Sequence, residues 1–160
     1  MPSAEELIIE LDRARQSMRD LLRDLEAQHA ASRELYPTWT VKELLSHIAG
    51  WDDACIASLR AHCQGDVPAT PAARGIDPYN ESTVAERAAL TLEKVIQEWE
   101  QTREVLKQII RELPAEKLDQ PFVFPWGPTG NLTRMVRIFV EHEEEHVEEI
   151  RRKLSVNSSQ

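Results

Sequence analysis

The chain is short of cysteine, of cationic charge and of long apolar runs, and each shortage closes off a class of protein. Its two cysteines, Cys55 and Cys63, fall in one expected helix, eight residues and so ~12 Å of rise apart. That gap is too wide for a disulfide between them, and a reduced, cytoplasmic chain is the expectation. Lysine and arginine number 19 against 28 aspartates and glutamates, for a net charge of −9. So acidic a chain repels phosphate backbones, which argues against nucleic acid as a partner. No run is apolar enough to span a bilayer, and "MPSAEELIIELDRARQ" has charges where a signal peptide needs an apolar stretch. No internal repeat and no convincing strand pair is visible. What remains, at 160 residues with 41% hydrophobic and 29% charged, is one globular domain with a single sizeable core.

What is present is helical periodicity. Leu7, Leu11, Ala14, Met18, Leu21 and Leu25 step by four and three, one apolar stripe on a helix opened by Ser3 with Glu6, a capping box. Thr40 with Glu43 opens a second helix after "YPTW", with a stripe through Leu44, His47, Ile48, Trp51, Cys55 and Leu59. Gly65 ends it, and the prolines and glycines of "GDVPATPAARGIDP" predict a long irregular connection. A third helix is expected from Ser82 or Thr83 to Leu113, before Pro114. The segment "LDQPFVFPWGPTGN" is too rich in proline and glycine for a helix, and Phe122, Phe124 and Trp126 are expected to fold back onto the bundle. A fourth helix starts near Asn131 and runs through Met135, Phe139, His142, His146, Ile150 and Leu154. The expected class is all-α: a four-helix bundle over residues 1–154, with a frayed polar tail at 155–160.

Five histidines punctuate these helices. His29 and His62 lie near helix ends, where a histidine is ordinarily a surface or capping residue. His47, His142 and His146 instead continue apolar stripes, and residues three and four apart share a helix face. All three imidazoles should therefore point into the bundle, where their nitrogens need partners. A divalent cation satisfies an i, i+4 pair at once. On spacing alone, a satisfied polar group in the core and a metal site both stay open. Most glutamates around them, Glu141, Glu144, Glu145, Glu148 and Glu149, fall on the outer face; Glu143 is close to the inner one.

His142–His146 also spells the H-E-x-x-H pattern of zinc proteases. That chemistry needs a third ligand downstream, and the residues after His146 hold neither histidine nor aspartate, with the glycine position wrong. A di-metal carboxylate site needs two Glu-x-x-His motifs and two further inward glutamates. Glu143 to His146 supplies one motif and Glu26 to His29 formally another, but no inward glutamate is evident on the third helix. The remaining reading joins His47 with His142 and His146. On a helix of ~36 Å, His47 lies ~9 Å from the start of helix two; His142 and His146 lie ~17 and ~23 Å along helix four. Antiparallel placement brings His47 to ~27 Å, within a turn of His146, whereas parallel placement leaves it ~8 to 14 Å out of level. Helices two and three then point the same way, so the long connection becomes a crossover in an up-down-down-up bundle.

These stretches resemble a known family. "WTVKELLSHIAGWD" resembles the hallmark of the DinB/YfiT-like superfamily of metal-dependent four-helix bundles, in which a histidine of helix two is the first ligand. "VEHEEEHVEEI" resembles its closing H-x-x-x-H. The resemblance implies that His47, His142 and His146 bind one divalent metal ion, zinc or nickel foremost and iron or manganese otherwise. It also implies a homodimer and a small-molecule substrate. Family members of known activity use low-molecular-weight thiols, as bacillithiol S-transferases and mycothiol-dependent maleylpyruvate isomerases do. The functional expectation is a metal-dependent enzyme transferring such a thiol to an electrophile. A non-catalytic bundle that binds or sequesters a small molecule on its metal is the alternative. Trp39, Trp51, Tyr79 and Trp126 are the expected pocket walls.

Overall fold

The computed structural model describes residues 2–27 and 39–157, the side chains of residues 26, 27, 156 and 157 excepted. His29 and the Glu26 side chain, the formal second half of a di-metal motif, lie outside it. The described residues are all-α with one minimal strand pair: α1 (Ala4–Ala27), α2 (Val41–Gln64), α3 (Ile76–Glu86), α4 (Leu92–Glu112), α5 (Ala115–Leu118), β1 (Phe122–Val123), β2 (Thr129–Gly130) and α6 (Leu132–Asn157).

Both capping boxes form. The Ser3 N–H donates to Glu6 Oε2 at 2.7 Å while the Glu6 N–H donates back to Ser3 Oγ, and Thr40 and Glu43 repeat the exchange at the start of α2. The α1 stripe is buried from Leu7 to Leu25. Helix α2 closes on Gly65, whose φ of 76° lies in the left-handed region that glycine enters without strain. It is the inner helix of the fold, buried on nearly every side from Leu44 to Asp52.

The third helix departs from expectation. A helix, α3, begins inside the presumed connection, and the chain then breaks at residues 87–91 before α4. Thr91 explains the restart, because its side chain accepts from the Lys94 N–H and caps α4. Helix α3 buries little apolar surface and docks on α2 by other means. Tyr79 Oη donates to the Gly50 carbonyl at 2.7 Å, and the Trp51 indole N–H donates to Asn80 Oδ1 at 2.9 Å. Gly50 itself makes room: a Cβ there would lie 2.3 Å from Thr83 Cγ2.

The proline-rich segment forms a small hairpin where no strand pair was expected, with Phe122 opposite Gly130 and Val123 opposite Thr129. A Phe124 N–H bond to the Pro128 carbonyl closes it. As expected, its aromatics fold back: Phe122 and Phe124 are buried, and Trp126 packs against them. Helix α6 continues to Asn157, three residues past the expected boundary at Leu154.

Two apolar clusters fill the bundle. One joins the beginnings of α1 and α6 to the later turns of α2 and α4, through residues such as Leu11, Leu59, Leu106 and Met135. The other joins the opposite ends, through Met18, Leu45, Trp99 and Val147. Four fully buried charges also meet in the interior, one from each long helix. Arg15 of α1 pairs with Glu143 of α6 at 2.8 Å and Asp52 of α2 at 3.1 Å; Arg103 of α4 pairs with the same two carboxylates at 2.8 and 3.0 Å. The tetrad is neutral overall, and the Arg15 guanidinium also lies 4.0 Å over the Trp99 ring.

Candidate metal centre

His47 sits in the second turn of α2, held inward by the capping box below it and by the Leu44, Ile48 and Trp51 stripe. His142 and His146 occupy successive turns of α6, a spacing that places them on one face. Where the helices meet, the three rings converge. His142 Nε2 lies 3.0 Å from His47 Nε2 and 3.0 Å from His146 Nε2. The ligand atoms of all three lie within 4.8 Å of one another, a group able to hold a metal ion.

The donor chemistry fits a cation. An imidazole nitrogen offers one hydrogen or one lone pair, so His142 Nε2 makes one well-aligned hydrogen bond although it faces two neighbours. A divalent ion between the rings accepts all three lone pairs. Burial first, then the neighbouring histidines, push the pKa of His47 down to about 2. Burial and His146 push that of His142 down to about 3, and burial lowers that of His146. All three rings are thus neutral near pH 7, the form that ligates metal. His146 Nδ1 faces Glu149 Oε2 at 3.2 Å; donating that proton leaves Nε2 with its lone pair toward the other rings.

Among the described residues, two cavities flank the rings. The first, about 220 Å³, is walled by Trp51, Trp126, Ile138 and Phe139, together with His47 and His142. The second, about 410 Å³, opens on the side of Trp39, Asp77 and Glu81. Of the expected pocket walls, Trp51 and Trp126 line the first and Trp39 the second. Tyr79 stands behind, edge-on to Trp51 with centroids 4.7 Å apart.

Other expectations need correction. His62 is no surface residue. Its ring stacks on Phe122, with Nε2 3.1 Å from the Lys117 carbonyl, because the hairpin folds over the end of α2. Glu143 points inward yet is engaged by Arg15 and Arg103. Ile76, Asp77, Asn80 and Glu81 border the cavities from the first turns of α3, ahead of the helix start expected at Ser82 or Thr83. Phe139 was legible, three residues before His142 on the same stripe.

The family model of the DinB superfamily matches residues 10–150. The chain belongs to that superfamily. Among solved structures, this DinB-superfamily chain is similar to a mycothiol-dependent maleylpyruvate isomerase, with a TM-score of 0.71 at 17% identity. A histidine-to-alanine mutant of such an isomerase gives 0.69 at 15%. Each match covers 94% of this chain and 63% of the other, so this chain spans a little under two thirds of those proteins. At such identity the likeness shows the shared fold. No curated protein matches the chain. Among the described residues, no helix is long and apolar enough to cross a membrane.

Proposed function

We propose that this DinB-superfamily protein is a divalent-metal-dependent enzyme that transfers a low-molecular-weight thiol to an electrophilic small molecule. The observation that carries the reading is the convergence of His47, His142 and His146, with His47 and His142 also lining an apolar cavity. Zinc or nickel is the ion the family resemblance favours, although three imidazoles also accept iron or manganese. When bound, such an ion supplies Lewis-acid charge that lowers the pKa of a thiol beside it.

The rest falls to the chain's own residues. Glu149 orients His146, and the indole and phenyl faces of Trp51, Trp126 and Phe139 hold the electrophile in surroundings that exclude water. The thiol sulfur forms a bond to the electrophilic carbon as the leaving group departs with its electron pair, and the thiol proton passes to solvent. Neither cysteine is needed as nucleophile: Cys55 is fully buried and burial raises its thiol pKa well above the usual range, while Cys63 lies nearer the other end of α2. The thiol is therefore external. The mycothiol dependence named for the similar structures supports that class of co-substrate. We further place the protein in the cytoplasm as a homodimer, which light scattering of the purified chain checks.

The assay follows loss of a chromogenic halo-aromatic or an epoxide with bacillithiol, mycothiol, glutathione or cysteine in turn. Metal-loaded protein should turn over with at least one thiol, and His142→Ala should fall to the uncatalysed rate. Equal rates for the two proteins with every thiol would remove the transferase and leave a non-catalytic binding bundle in its place.

A further inference from the structure

The triad is approached from two sides whose chemistry differs. The 220 Å³ cavity presents aromatic and aliphatic side chains. The 410 Å³ cavity presents Trp39, Asp77 and Glu81. His47, His142 and Asn80 line both, so Asn80 stands at the boundary, its Oδ1 fixed by the Trp51 indole N–H. Among the described residues, no lysine or arginine lines either cavity. Arg87, which follows α3, is already paired with Asp53 and Glu98. Arg134 and Arg137 line a separate groove beyond Ile138.

We propose that the acidic side of the site receives the thiol and selects one with a positively charged tail, with Asp77 and Glu81 as the specificity-determining residues. The inference rests on the thiol-transfer reading above. A thiol whose sulfur reaches the three histidines through the larger cavity must lay its tail along Asp77 and Glu81. Two carboxylates attract a cationic tail and repel an anionic one, and the two effects add when such thiols are compared. Both side chains are exposed, so solvent and salt moderate the effect, and the expected discrimination is on the order of tenfold at low ionic strength. Trp39, whose ring centre is 4.7 Å from that of His47, adds a π face that favours the same sign of charge. The apolar cavity is then left for the electrophile, so the two reactants meet at the histidines from adjoining cavities.

Thiocholine and 2-mercaptoethanesulfonate test this, because both are two-carbon thiols with permanent and opposite tail charges. Each is titrated into the full-length cobalt-loaded protein, and the sulfur-to-cobalt charge-transfer absorption gives its Kd. Thiocholine should bind about tenfold more tightly. The ratio should shrink to within about threefold in Asp77→Asn/Glu81→Gln and in high salt. Equal affinities, tighter binding of the sulfonate, or a ratio unchanged in the double variant would overturn the selection. If neither thiol produces the absorption band, the thiol-transfer reading itself fails.

Discussion

His146 uses both nitrogens of one ring: Nε2 faces the other histidines and Nδ1 faces Glu149. A carboxylate behind a ligating histidine fixes its tautomer and raises its basicity, and losing such a partner costs metal affinity about 10–100-fold. Glu149→Ala should show a loss of that size in competition with a chromophoric chelator, with little change in thermal stability. His62→Ala should do the opposite, leaving metal affinity intact while the lost bond and ring stack lower unfolding free energy by about 1–3 kcal/mol in urea. The contrast shows what single residues disclose in sequence. His47, His142 and His146 were legible because each extends a stripe, and a stripe fixes a direction. His62 was misplaced because its cover comes from Phe122, sixty residues away in a hairpin that no stripe announces.

At the scale of elements, the long helices were readable from capping boxes and periodicity, while α3 was not. Its only fully buried residue is Thr83, and its attachment depends on a glycine in a different helix. Gly50→Ala should therefore push α3 off α2 and cost about 1–3 kcal/mol, the usual range for overpacking, with Trp51 fluorescence reporting the change. The direction of the helices is a separate inference. The apolar clusters group the beginnings of α1 and α6 with the later turns of α2 and α4, the sorting an up-down-down-up run requires. Engineered cysteine pairs should cross-link the start of α2 to the end of α6. Efficient cross-linking of the two starts would reverse that order.

The whole molecule is tied together by charges the sequence reading did not pair. Arg15, Asp52, Arg103 and Glu143 lie between 37 and 128 residues apart where they bond, and no local pattern relates them. Burial disfavours the Arg103 charge, yet Asp52 and Glu143 outweigh it and its pKa rises. Glu143→Leu should leave two buried arginines under-compensated and cost about 3–5 kcal/mol, whereas replacing all four charges by apolar residues should be close to neutral. Denaturant unfolding of the two variants separates these outcomes. The tetrad includes Glu143, between the two histidines of α6, and Asp52, five residues after His47, so the interior that holds the bundle also sets the level at which the rings meet.

That meeting is the central claim, and metal stoichiometry tests it most directly. Elemental analysis of the purified, dialysed protein should find one divalent ion per chain. The ion should be lost in each of His47→Ala, His142→Ala and His146→Ala and kept in His62→Ala. No ion in the wild-type protein after metal loading, or full occupancy in His47→Ala, would contradict it.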